Sequence, residues 1–209
     1  AGKELKALFA SPLAWVVLTF LQIILAFGFL KRLDDFGQIQ PQLIQMPNPP
    51  GVTELVVAPL FATLAIVLLF AVPLLAMRLI AEERRNQTMV FLISAPLSMT
   101  EIVLGKFIGL MAFLLLIIGI TALMPLSLLL GGRLDFGLLA SLITGAVLLA
   151  ACFAAVGLYA SCVTAHPLAA AMIAFSLLLG MLLAGETAAD GLRSRGWPVP
   201  AALAQVLSP

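Results

Sequence analysis

Five long stretches without a charged side chain constrain this sequence more than any other feature. They are residues 12–30, 55–77, 107–132, 136–165 and 167–185. At 1.5 Å of helical rise per residue, residues 12–30 alone cover about 28 Å, close to the thickness of a bilayer's hydrocarbon core. Only 10% of the 209 residues are charged, whereas soluble domains carry about 25%. The sequence therefore predicts an all-α membrane protein, a helical bundle in a single transmembrane domain over residues 1–209.

The segments between and beyond the spans differ in character. Residues 1–11 place Leu5, Leu8 and Phe9 at helical spacing, which predicts an interfacial helix, with a frayed end as the alternative. Residues 33–54 are rich in Gln, Pro and Asn and are expected to form an extended loop. Residues 136–165 exceed one crossing, so the fourth span is assigned to residues 136–163. Residues 186–209 are expected to form an extracytoplasmic re-entrant or interfacial segment.

The chain shows no motif for chemistry of its own. A GxxxxGK[ST] phosphate loop is absent, since Thr100 and Phe107 stand at required positions around Gly105-Lys106. With one histidine, His166, neither a Ser/His/Asp constellation nor a Cys/His metal cluster is predicted. A net charge of +1 provides no basic field for nucleic acid. We therefore expect a non-enzyme without catalytic, cofactor or metal residues.

The polar groups within the spans are few and uncharged. Proton-coupled carriers usually keep an ionisable residue inside the membrane, so proton coupling is disfavoured, although sodium coupling through backbone carbonyls stays open. We expect the span side chains to bond to their own helix or to the next one rather than to line a pathway. These side chains are Thr19, Gln22, Thr63, Thr121, Ser127, Ser141, Thr144, Ser161 and Ser176.

Small residues recur in the fourth span. Ala146, Ala150 and Ala154 share one helix face, and Gly157 and Ser161 continue the spacing. Such spacing lets helix backbones approach closely and is weak evidence for a tight bundle, because an alanine-rich chain produces it by chance.

The charged interval 78–106 separates the second and third spans. A short apolar run ending at Pro96 predicts a transverse helix over residues 84–96. Ser98 and Glu101 then match a capping box, which predicts that the next helix begins near Met99. Physical reasoning leaves two interpretations of the transverse helix open: it docks in a partner's groove, or it rests on lipid headgroups.

The same interval resembles the cytosolic segment of type-two ABC transporter permeases, of the gliding-motility and copper-enzyme-maturation kind. Their pattern is close to E-E-R-R-x-G-T-x-E-x-L-L-x-x-P-[VL]-S-x-x-x-[IV]-[VL]-x-G-K. The matching residues are Glu82, Glu83, Arg84, Arg85, Thr88, Leu92, Pro96, Leu97, Ser98, Ile102, Val103, Gly105 and Lys106. Gln87 replaces a common glycine and Val90 a common acidic residue. The segments KELKALFASPLAW and SCVTAHPLAAAMIAF also resemble the opening helix and the second cytosolic turn of this family.

The resemblance implies the following residue roles. The main ATPase-coupling interface would comprise Arg84, Arg85, Asn86, Gln87, Thr88, Met89, Phe91, Leu92, Ala95 and Pro96. A second cytosolic contact would comprise Val163, Thr164, Ala165 and His166. Glu82 and Glu83 would anchor the inner end of the second span.

The resemblance also implies partners and an overall role. Permeases of this kind have six spans, so a sixth is expected to be absent from this sequence. They pair with a second copy or a related permease and with separate cytosolic ATPase subunits, which hold the ATP and magnesium. A periplasmic or accessory membrane protein is a further possible partner. The implied function is a permease subunit that couples ATP hydrolysis to export or extraction of a substrate that the sequence does not identify.

Localisation and the rival function complete the expectations. We expect a multi-pass protein of the bacterial inner membrane with a cytoplasmic N-terminus, although that orientation places six Lys/Arg inside against five outside, a weak bias. The rival interpretation is a non-transporting anchor or mechanotransmitting subunit of an envelope apparatus.

Overall fold

The described residues form a bundle of five helices that are long and apolar enough to span a membrane. The computed structural model describes residues 12–43, 51–77, 99–130, 135–164 and 166–194, and within them all regular structure is helical. The helices are α1 Pro12–Leu43, α2 Ala58–Ala76, α3 Met99–Leu126, α4 Phe136–Val163 and α5 Pro167–Ser194. A π-helical turn, Thr53–Val57, precedes α2, and a 3-10 turn, Ser127–Leu130, follows α3. Five helices are long and apolar enough to cross a membrane, which confirms the predicted fold class.

Helix α1 is longer than its apolar stretch. It continues to Leu43, so the prediction of an extended loop over residues 33–54 is wrong for residues 33–43. Extending an existing helix requires no new nucleation, so Gly37 and Pro41 are tolerated within it. Phe36 packs against the core and stabilises this extension. The apolar length of a segment thus indicates the membrane crossing but not the end of the helix.

Helices α3 and α5 also extend beyond their apolar stretches. Helix α3 begins at Met99, where the capping-box pattern predicts a helix start. Glu101 and Lys106 therefore lie within the helix that crosses the membrane, and not in a loop before it. Helix α5 continues to Ser194, so residues 186–194 extend the fifth helix and do not form a separate segment.

Helix α2 occupies the centre of the bundle. Of its 18-residue apolar window, 67% is buried, compared with 17% to 44% for the other four spans. Leu60, Leu64, Leu68 and Val72 are fully buried at a spacing of four, which forms one continuous stripe. Helices α1, α4 and α5 all pack against α2, while α3 packs against α1 and α4.

The chain direction alternates, so the bundle has two distinct ends. We call one the Met77 end; it carries the starts of α1, α3 and α5 and the ends of α2 and α4. We call the other the Thr53 end. There the backbone N–H of Asp135 donates to Oγ1 of buried Thr53 at 3.0 Å, which joins the start of α4 to the π-helical turn. The Asp135 carboxylate caps α4 by accepting from the N–H groups of Gly137 and Leu138.

Candidate functional site

The predicted ATPase-coupling interface lies mostly outside the described residues. This holds for Glu82 and Glu83, for every residue assigned between Arg84 and Pro96, and for Ala165. Their assigned roles therefore stay predictions. The residues that flank the interval are described: α2 ends at Ala76 and α3 begins at Met99, both at the Met77 end.

The turn between α4 and α5 contributes the described part of the second predicted contact. Val163 is the last residue of α4 and is 57% exposed. Thr164 then adopts an extended backbone, and its Oγ1 accepts from the N–H of His166 at 3.2 Å. The carbonyl of His166 accepts from Ala170 and so closes the first turn of α5. This turn presents Val163 and His166 at the Met77 end, the end where the charged interval connects α2 to α3.

Helices α2 and α4 are in close contact near this end. The small-residue face of α4 is buried along its length, at Ala146, Ala150, Ala154, Gly157 and Ser161. A Cβ placed on Gly157 would lie 2.8 Å from Cβ of Ala76 and 3.3 Å from Cγ1 of Val72. Glycine is therefore required here by the approach of α2, the close packing that the small-residue spacing predicted.

The sequence did not predict the environment of Lys106, which also lies towards the Met77 end. Lys106 is only 2% exposed, although the charged interval to which it belongs was expected to lie outside the membrane. Buried lysines are rare and require an interaction partner, and Lys106 has one. The signal available in the sequence was the capping box, which places Lys106 two turns into α3 and so level with the bundle.

The span hydroxyl groups bond within their own helices, as expected. Each donates to a carbonyl three or four residues earlier, and this observation covers Thr19, Thr63, Thr121, Ser127, Ser141, Thr144 and Ser176. A hydroxyl that already donates to a carbonyl of its own helix has little remaining capacity to hydrogen-bond a polar solute. These seven hydroxyl groups are therefore poorly suited to line a polar pathway.

Two polar side chains of α1 make contacts between helices. Nε2 of Gln22 donates to the carbonyl of Ile117 at 3.0 Å and to Oγ1 of Thr121 at 3.4 Å, so it joins α1 to α3. Its buried Oε1 has no hydrogen-bond partner among the described residues. Nη2 of Arg32 donates to Oγ1 of Thr63 at 2.9 Å and joins α1 to α2. Arg32 follows the uncharged stretch 12–30, so hydropathy alone gives no indication that it contacts α2.

The described residues contain no cluster of three or more His, Cys, Asp or Glu side chains that could hold a metal ion. They form a helical membrane bundle with the turn between α4 and α5 at its Met77 end.

The comparisons with known proteins agree with this arrangement. The sequence model of the family described as ABC-2 family transporter protein matches residues 1–195. The chain belongs to the ABC-2 transporter family. No curated protein and no solved structure matches the chain. As a member of this family, the chain is a multi-pass permease subunit of an ABC transporter and is not itself the ATPase. Membership also implies an ABC ATPase as partner and, typically, dimerisation.

Proposed function

We propose that this permease transmits ATP-driven movement from a separate cytosolic ATPase to its membrane bundle, to export or extract a substrate. The observation that carries the proposal is the family match over residues 1–195 in a chain with five spans. The coupling segment is residues 84–96, and Val163, Thr164, Ala165 and His166 form the second contact. ATP and magnesium bind to the partner, and a second copy of the chain completes the transporter.

The topology supports a common docking face for the two contacts. The interval with residues 84–96 connects the end of α2 to the start of α3, while residues 163–166 connect α4 to α5. The end of α2, the start of α3, the end of α4 and the start of α5 all lie at the Met77 end. Movement of a docked partner would reach the central helix α2 directly, because α2 is the most buried span and packs against α1, α4 and α5.

Orientation is part of the proposal. For an ATPase to reach the Met77 end, that end must face the cytoplasm, which also places the N-terminus there. In this orientation six Lys and Arg residues lie on the cytoplasmic side and five on the other side, which favours it weakly. The membrane is the bacterial cytoplasmic membrane, as the resemblance to bacterial permeases implies.

A crosslinking experiment tests the docking face. Both native cysteines, Cys152 and Cys162, are first replaced by alanine, since neither forms a disulfide and each is partly exposed. Phe91→Cys and Val163→Cys are then introduced separately, and the permease is co-expressed with its ATPase. We expect both to crosslink to the ATPase with a bifunctional thiol–amine reagent, because both lie in the proposed contacts.

The matched control is Phe136→Cys. Phe136 is 61% exposed, close to the 57% of Val163, but it begins α4 at the Thr53 end. We expect it to react with a membrane-impermeant thiol reagent added outside the cell and not to crosslink to the ATPase. If Phe91→Cys gives no crosslink in an assembled, active complex, the coupling assignment is wrong.

ATP turnover separates transport from the rival function. A transporter's ATPase rate is expected to rise when candidate cargo is added to the reconstituted complex, since substrate and nucleotide sites are then linked. ATP turnover that is independent of every cargo, together with a mechanical output, would instead identify an anchor or mechanotransmitting subunit.

A further inference from the structure

Arg32 is a cation that lies between two helices of the bundle. Its Nη2 donates to Oγ1 of Thr63 on α2 at 2.9 Å. Its Nη1 lies 3.5 Å from where a Cβ of Gly28 would be, one turn nearer the N-terminus of α1. The guanidinium is therefore directed back along α1, towards the apolar part of the helix, and is held there by α2.

The neighbours of Arg32 fix its level in the membrane. Lys31, Asp34 and Asp35 are exposed charged residues, so this part of α1 lies at the polar boundary of the bilayer. Phe27 and Leu30, five and two residues before Arg32, are exposed by 71% and 61%, which is typical of side chains that face lipid tails. Arg32 thus lies where hydrocarbon meets headgroups, and this is the level of the lipid phosphates.

Most of the hydrogen-bonding capacity of Arg32 is unused by the described residues. A guanidinium has five N–H donors, and the Thr63 hydroxyl accepts from one of its nitrogens. The Thr63 hydroxyl in turn donates its proton to the carbonyl of Pro59 at 2.9 Å, so towards Arg32 it acts only as an acceptor. Within the described part of the chain, Arg32 forms no ion pair with an acidic side chain. A half-buried cation of this kind requires a negative counterpart.

We propose that Arg32 binds the phosphate of an anionic phospholipid at the Thr63 contact. Arginine's planar fork suits phosphate oxygens, which accept two parallel hydrogen bonds. The Thr63 hydroxyl positions the fork and leaves the remaining donors for the lipid. The site lies at the Thr53 end of the bundle, away from the proposed ATPase contacts, and does not depend on them.

Lipid titration with native mass spectrometry of the full chain in detergent tests this site. Phosphatidylglycerol is compared with phosphatidylcholine, whose quaternary ammonium neutralises its phosphate. We expect Arg32→Gln to weaken the tightest phosphatidylglycerol site about tenfold, equivalent to about 1.4 kcal/mol, and to leave phosphatidylcholine binding unchanged. Thr63→Val keeps the shape of the side chain but removes the hydroxyl, and we expect a smaller loss in the same direction.

The matched control is Lys31→Gln. It removes the same charge from the adjacent, exposed position, and we expect less than a twofold change because the site requires the fork and not the overall charge. Arg32→Lys keeps the charge and is used if Arg32→Gln fails to fold; it is expected to bind with intermediate affinity. Equal binding by wild type and by the tested Arg32 variant, or an equal loss in Lys31→Gln, would overturn the proposal. So would complete displacement of the lipid by millimolar inorganic phosphate, which would indicate a site for free anions.

Discussion

The close approach of α2 and α4 predicts that Gly157→Ala destabilises the bundle. The added Cβ would lie 2.8 Å from Cβ of Ala76, whereas carbon atoms pack best at about 3.5–4.0 Å. Neither atom can rotate away, because an alanine Cβ is fixed to its backbone. The helices must therefore separate, and Val72, whose Cγ1 would be 3.3 Å from the new Cβ, must move as well.

The expected magnitude follows from two opposing effects. Overpacking a close-packed interior costs about 1–3 kcal/mol. Replacing a helical glycine by alanine returns about 0.5–1 kcal/mol through reduced backbone entropy. The difference spans about 0–2.5 kcal/mol, and we expect Gly157→Ala to lower the free energy of unfolding by about 1 kcal/mol, near the middle of that range. Far-UV circular dichroism during titration with a denaturing detergent, in mixed micelles, measures this change.

Two further variants separate the clash from other effects. Gly145→Ala lies on the same helix, and a Cβ there meets nothing within 4 Å, so we expect no loss of stability. Ala76→Gly removes the atom that Gly157→Ala would strike, so the double variant is expected to recover part of the loss. A double-mutant cycle should then give a coupling energy of about 0.5–3 kcal/mol. If Gly157→Ala unfolds at or above the wild-type midpoint, the reasoning is refuted.

Two other substitutions test contacts elsewhere in the bundle. Gln22→Leu removes the hydrogen bonds to Ile117 and Thr121 on α3, but it also removes the buried Oε1, which has no partner among the described residues. Because interhelical hydrogen bonds in membranes average about 0.6 kcal/mol, we expect the free energy of unfolding to change by less than about 0.5 kcal/mol in the same assay. A loss above about 2 kcal/mol would show that Oε1 has a partner. Asp135→Ala removes the cap of α4 and is expected to cost about 1 kcal/mol, whereas Asp135→Asn retains an acceptor and should cost less. Equal thermal midpoints for these two variants would contradict a capping role.

Part of the candidate site was predictable because its signals are local. The capping box predicted where α3 begins, and the position of Pro167 predicted where α5 begins. The expectation that span hydroxyls bond to their own helices also held, since a carbonyl three or four residues away is always within reach. The resemblance in the charged interval pointed to a family that the match over residues 1–195 then showed.

Other features were not predictable, because they depend on which helix faces meet. Gly145 and Gly157 lie twelve residues apart in the same apolar sequence, yet only Gly157 meets another helix. Nothing local to Arg32 indicates that its guanidinium donates to Thr63. The capping box places Lys106 within α3, but it does not indicate that Lys106 lies on a buried face of that helix. The helical residues 33–43 were misjudged because Gln and Pro were given more weight than the continuity of the helix.

The sequence by itself thus determined that the chain crosses a membrane several times as helices, five of them within the described residues, because a bilayer requires each segment to satisfy its own backbone. The tertiary structure decided the rotation and register of those helices, since these are set by packing against neighbours and not by hydropathy. That packing makes α2 the central helix, brings Gly157 against Ala76, and places Arg32 beside Thr63.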